Sequence, residues 1–273
     1  MHRTAAVTTS ATAKTALLVA LVLVVAVASV ALGVAIGRRY QTNVWCCKIP
    51  SSRNIVLSMK ETLGLVSFPS QIGQDKWVLE TVFPDVANGF FVDVGSGDGI
   101  VRSNTYSLEQ QGWTGICIDP FPTNMQGRTC RMFKEVVYGQ PGKRVLFHTA
   151  GEIGGVADNL DTWKRRAETS PAVEFTTVTL GDILERANAP AFIHFMSLDI
   201  EGAELEALRG LPFDKYSFGA FAIEHNYEGR KRNDIEVFLE RHGYSRVHTW
   251  FQDDFFVPSP AGVREHSAVR RGQ

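Results

Sequence analysis

The chain has 273 residues, 44% of them hydrophobic and 21% charged, with a formal net charge of −1. Such a composition excludes a chain too polar to bury a core, and the balanced charge leaves no electrostatic footprint for nucleic acid. The length accommodates a membrane segment plus one ordinary domain.

Residues 1–14 form a short N-terminal tail. Residues 15–37 carry no charged side chain and are rich in Val, Leu and Ala, with Lys14 before them and Arg38 and Arg39 after. The run reaches the ~20 residues that cross a bilayer and exceeds the roughly 7–15 apolar residues of a cleaved signal. It ends in Arg-Arg without a clear cleavage site, so an uncleaved, single-pass membrane anchor is expected. Basic residues flank both ends, and charge bias leaves the orientation open. In a eukaryotic cell the endomembrane system (ER or Golgi) would suit such a protein.

Residues 38–69 read as a stem or linker with a short helix near Ile55–Leu65. Cys46 and Cys47 lie just past the apolar run, where palmitoylation is permitted on a cytosolic face; two free thiols are the simpler reading. Cys117 sits in an apolar strand-like run and is expected as a small core residue. Four cysteines without a C-x-x-C pair suit neither a zinc site nor a disulfide scaffold, and no metal is expected.

Residues 70–258 alternate strands and helices. The pattern predicts helices over Lys76–Phe83, Ser103–Gln111 (capped by Ser103), Gly181–Ala187 and Glu201–Arg209, and one capped by Asn233. It predicts strands over Phe90–Val94, Thr114–Asp119, Phe133–Tyr138, Glu174–Val178, Phe192–Asp199 and Phe218–Glu224. A closing hairpin joins Ser245–Trp250 to Phe255–Val257 through Gln252-Asp253-Asp254. The fold class is therefore α/β: a Rossmann-like, mostly parallel sheet with a C-terminal antiparallel hairpin. Residues 259–273 read as a loose tail.

Four strand ends carry candidate chemistry. Phe90-Phe91-Val92-Asp93-Val94-Gly95-Ser96-Gly97-Asp98-Gly99 is a buried strand followed by alternating glycines. Such glycines let the backbone turn tightly and let a ligand lie against it at the carboxyl edge of the sheet. The spacing is not the G-x-G-x-x-G that seats a pyrophosphate on a helix; it suits S-adenosylmethionine, which has no phosphate. Asp119, followed by Pro120, ends the second strand, where a carboxylate can grip a ribose diol. Asp93, Gly95, Ser96, Gly97, Gly99, Asn104, Asp119 and Pro120 are the candidate cofactor residues. Asp199 and Glu201 end a third strand and could deprotonate a hydroxyl, hold a cation, or cap the next helix. Glu204 reads as structural. His225, in Ala222-Ile223-Glu224-His225-Asn226, is a further candidate base or a structural histidine. Asp199, Glu201 and His225 are the catalytic candidates.

Together these segments resemble the FkbM family of methyltransferases over about Ser70 to Asn226. The matches run from Ser70-Gln71-Ile72-Gly73-Gln74-Asp75 through Phe91–Gly95, Ser103-Asn104-Thr105 with Leu108-Glu109, and Gly112-Trp113-Thr114-Gly115. They continue with Asp119-Pro120-Phe121-Pro122 and Ser197–Glu204, and close on Glu224-His225-Asn226. The resemblance implies a class I methyltransferase fold, S-adenosylmethionine as cofactor, and O-methylation of a hydroxyl, often on a polyketide, sugar or glycan; with the membrane anchor, the expected acceptor is a hydroxyl of a sugar, glycan, lipid or other small metabolite. Asp119 stands where the family often has Glu, which keeps the charge. The N-terminal anchor departs from the soluble bacterial members and puts the acceptor in doubt. The alternative is a non-catalytic, membrane-anchored protein of the same fold, acting in trafficking or as a scaffold.

Overall fold

The computed structural model describes residues 52–64 and 66–260. The anchor expected at 15–37, Cys46, Cys47 and nearly all of the tail lie outside them. No helix among the described residues is long and apolar enough to cross a membrane. The chain divides into two compact units, Met1–Val56 and Leu57–Gln273. Of the first, only the start of helix α1 (Ser52–Thr62) is described.

The second unit is an α/β fold around a seven-stranded sheet. Its strands are β1 (Phe90–Val94), β2 (Thr114–Ile118), β3 (Arg131–Phe133), β7 (Phe192–Leu198), β8 (Ser217–Glu224), β9 (Tyr244–Trp250) and β10 (Asp253–Pro258). They lie in the order β3-β2-β1-β7-β8-β10-β9. The first five are parallel, and β10 runs antiparallel between β8 and β9. A second, antiparallel sheet joins β4 (Arg144–His148), β5 (Gly155–Val156) and β6 (Ala172–Thr176). The remaining α-helices among the described residues are α2 (Gln74–Trp77), α3 (Tyr106–Gln110), α4 (Lys164–Ala167), α5 (Leu180–Ala187), α6 (Glu204–Arg209) and α7 (Gly229–Arg241).

Both faces of the sheet's centre are covered, so β1, β2, β7 and β8 are apolar on both sides, while the edge strand β9 is largely exposed. Strand side chains alternate between faces. Val92, Val94, Ile116, Ile118, Met196, Leu198, Phe221 and Ile223 pack with residues of α5, α6 and α7. Phe91, Cys117, Phe195, Ala220 and Ala222 pack with Val78, Leu79 and Leu108 on the other face. Each large side chain buried this way contributes about 1.5–3 kcal/mol. Chain order reverses between β1–β2 and β7–β8, and a crevice opens at the strands' carboxyl ends, where such sheets bind ligands.

Several expected boundaries shift for local reasons. The helix expected over 201–209 starts at Glu204, because Glu201 (φ 56°) and Gly202 (φ 120°) are left-handed. The helix expected over 103–111 starts at Tyr106, with Ser103 Oγ accepting the Tyr106 N–H at 3.1 Å. The helix over 76–83 is a single α-turn continued by a π-helical turn at Val78–Val82. Asn233 is not a cap; it lies inside α7. The strand expected at 133–138 ends at Phe133, and that expected at 174–178 is β6 of the small sheet. The hairpin turns at Phe251 and Gln252, leaving Asp253 and Asp254 in β10. Cys117 is buried as expected but is not a free thiol: it forms a disulfide with Cys130.

Candidate active site

A cavity of about 660 Å³ occupies the crevice. Gly95, Ser96, Gly97, Asp119 and Pro120 line one end, and Asp199, Glu201, Glu224 and Asn226 the other.

The glycine end is shaped by close approach. Gly95 has φ 85°, and a Cβ there would lie 1.6 Å from the Asp199 carbonyl oxygen. No side chain fits where β1 and β7 meet. The Gly95 N–H donates to Ile118 O at 2.8 Å, and Asp199 N–H donates to Val94 O at 3.0 Å, so the ends of three strands are tied together. Gly97 (φ 43°) faces open space, with only Gly95 O at 4.0 Å from a notional Cβ. Its N–H donates to Asp119 Oδ2 at 2.9 Å, while Phe121 N–H donates to Asp119 Oδ1 at 2.7 Å. Burial pushes the Asp119 carboxyl above its ordinary value, against those two bonds. Two of its roughly four acceptor positions stay available. Ser96 Oγ is buried without a partner.

The other cofactor candidates stand behind this wall. Asp93 is buried and accepts Thr105 Oγ1–H at 2.6 Å. Asn104 donates to Ser197 Oγ at 2.8 Å. Gly99 lies against Met125 and Asn124. None of the three lines the cavity.

At the acid end, carboxylate oxygens of Asp199, Glu201 and Glu224 lie within 4.8 Å of one another, a spacing able to hold a cation. Burial, then the like charges around them, raises all three. Glu201 is pushed up to about 9 by burial and by Asp199, Asp161 and Glu204. Glu224 is pushed up to about 12 by burial, Asp199 and Glu201. Asp199 is raised to about 7; burial dominates, and a hydrogen bond with Glu224 opposes it. The Asn226 amide (φ 48°) bridges them, donating to Glu224 Oε2 at 2.6 Å and Glu201 Oε2 at 3.0 Å. Lys231 pairs with Asp161 at 2.5 Å and Glu204 at 3.0 Å. Glu204 Oε1 accepts the N–H groups of Ile200 and Gly202, the structural role expected for it.

His225 does not join this group. Its Nδ1 accepts the Tyr227 N–H at 3.0 Å, and its Nε2 lies 3.8 Å from Asp254 behind the cavity wall. Burial lowers its pKa, so the ring stays neutral more readily. Glu224, one residue earlier, holds the place at the cavity. It ends an apolar strand, as Asp119 and Asp199 follow theirs, and that shared signal was visible in the sequence.

A comparison with curated proteins found no match. Among solved structures, one from Pyrococcus horikoshii, provisionally described as an RNA methyltransferase, matches at 10% identity. The match covers 74% of this chain and 98% of that one, with a TM-score of 0.38; a likeness so slight bears on neither mechanism nor substrate. The model of the methyltransferase FkbM domain matches residues 93–246, more than half of the chain. The span begins at the acid before the glycine loop and takes in every cavity residue named above, and the chain belongs to the FkbM methyltransferase family.

Proposed function

We propose that the protein is an S-adenosylmethionine-dependent O-methyltransferase, anchored in a membrane by residues 15–37. Its acceptor is a hydroxyl of a sugar, glycan, lipid or other small metabolite. One observation carries this reading: a single cavity holds an open glycine loop with a backbone-fixed carboxylate at one end and a proton-sharing carboxylate pair at the other.

The cofactor fits the residues present. The open side of Gly97 leaves room that a side chain would fill, and Ser96 offers an orphaned hydroxyl. Asp119, fixed by two N–H groups, accepts hydrogen bonds from the ribose hydroxyls. When bound, S-adenosylmethionine supplies an electrophilic methyl on a positively charged sulfur. Around it the chain orients, excludes water and moves one proton. Orientation of the reacting atoms can supply roughly 7–11 kcal/mol of the barrier. Asp199, poised near neutrality, accepts the acceptor hydroxyl's proton, a contribution of about 10²–10⁴ in rate. Glu224 keeps its own proton and donates to Asp199, so the pair carries one proton and one charge once the pH rises above about 7. Glu201 and Asn226 hold that pair in place.

The Cys117–Cys130 disulfide supports placing the domain in an oxidising compartment, the ER–Golgi lumen or cell exterior, since such bonds are rare in reducing cytosol. Titration calorimetry of the full-length protein with S-adenosylmethionine, then transfer of a labelled methyl group to lipid and glycan extracts, tests the function. Saturable heat and a product carrying the labelled methyl group are expected. No heat at high protein concentration would favour a non-catalytic scaffold.

A further inference from the structure

The segment between β2 and β3 is strapped to the back of the glycine loop. Thr123 N–H donates to Gly97 O, and Gly99 N–H donates to Thr123 O, both at 2.9 Å. Asn124 Nδ2 donates to Asp98 Oδ1 at 3.2 Å. A Cβ on Gly99 would lie 2.6 Å from Met125 Sδ and 2.9 Å from Asn124 O. Arg128 closes the strap with its side chain 1% exposed. Its Nη1 donates to Gly99 O at 2.6 Å and Ser103 Oγ at 3.2 Å. Its Nη2 donates at 2.8 Å to Thr105 Oγ1, which in turn donates to Asp93. Buried Glu109 takes the Nε at 2.9 Å and the N–H groups of Thr129 and Cys130 at 3.0 and 2.8 Å. Cys130 is then cross-linked to Cys117, whose sulfur is 3.4 Å from Nη2.

Arg128, Glu109, Cys117 and Cys130 do not line the cavity; whatever they do for binding passes through the loop. We infer that Arg128, locked by the Cys117–Cys130 disulfide, is a positioning residue that holds Gly97–Gly99 in their binding shape, so that cofactor affinity depends on the oxidised cross-link. The inference rests on the cofactor site proposed above. A buried guanidinium with five partners loses heavily if any partner moves away. The cross-link restricts the strap's alternatives, and a preorganised loop binds more tightly than one that must be ordered first. Reduction by a dithiol sends two electrons and two protons to the two sulfurs, giving two thiols and an oxidised, cyclised reductant.

The test uses the full-length protein in detergent, with Cys46→Ser and Cys47→Ser so that only this cross-link responds. Amide hydrogen exchange without ligand is measured before and after dithiol treatment, followed by calorimetry with S-adenosylmethionine and turnover. Reduction should speed exchange at Gly97–Arg102 while β7 and β8 stay protected. It should weaken Kd by about tenfold or more, reversibly on reoxidation. Turnover at saturating cofactor should stay within about twofold, because no reacting group moves. Cys130→Ser should bind as weakly whatever the redox state, and Arg128→Lys should recover part of the affinity that Arg128→Met loses. Equal exchange and equal Kd in both redox states would overturn the inference, as would loss of the whole near-UV signal on reduction, which would make the cross-link a staple for the entire domain. If the oxidised protein takes up no cofactor at all, the proposed cofactor site fails, and the exchange data alone decide on the strap.

Discussion

At the β1–β2 end of the cavity the backbone does the work. Gly95 and Asp199 touch through main chain, Gly97 N–H fixes Asp119, and Thr123 pairs with the loop. At the β7–β8 end the side chains do it: three carboxylates crowd together, and one amide bridges two of them. The first end is a mould, fixed before a ligand arrives; the second is a charge reservoir whose groups share protons because they cannot all ionise. Affinity and turnover should therefore separate along this line.

Gly95→Val attacks the mould hardest. Its Cβ cannot coexist with the Asp199 carbonyl, so cofactor binding should vanish in calorimetry, with a fall in Tm from about 1–3 kcal/mol of strain or more. Binding that survives would mean the loop is not the site. Asp199→Asn attacks the reservoir: kcat should drop by about 10²–10⁴ while the cofactor Kd holds, as single-turnover kinetics and calorimetry would show. A matching loss of affinity would erase the division between the ends. Asp119→Ala should do the opposite, costing about 1–3 kcal/mol of cofactor binding with kcat retained at saturation.

The smallest effect sharpens the contrast through pH. Glu224, Glu201 and Asp199 have folded-state pKa values raised to about 12, 9 and 7. The folded chain thus holds protons that the unfolded chain releases above about pH 4. Stability from these groups is fully present below that pH and is lost progressively as pH rises towards each folded value. Thermal melts should show Tm falling from pH 6 to pH 9, and falling less in Glu224→Gln. A Tm that rises over that range would remove the reservoir. Turnover should meanwhile climb through about pH 7 as Asp199 becomes able to accept a proton.

The sequence made the mould legible because its parts are local. An apolar run, an acid and alternating glycines name a strand and its turn, and Asp119 follows the next run by the same grammar. Asp199 and Glu201 were legible for that reason too. What escaped depends on chain reversals. Asn226 and Tyr227 are both left-handed, at φ 48° and 62°, and this turn swings the His225 ring back onto Tyr227 N–H, leaving Glu224 at the cavity. The Cys117–Cys130 pairing carries no spacing motif; it exists because the strap folds back across β2. Strand β5 has only two residues, and β4 is half exposed with Arg144 and His148 at its ends, so neither carries the apolar run that announces β1 and β2.

The small sheet has one more implication. It enters the chain between β3 and β7, adds no strand to the main sheet, and still borders the cavity through Phe147 and Val156. The insert is also tied to the acid end, where Thr162 Oγ1 donates to Asn226 O at 3.0 Å and Asp161 pairs with Lys231. Substitutions at Phe147 and Val156, which line the cavity from this insert, should thus alter what the cavity admits while leaving Gly95–Gly99 in place.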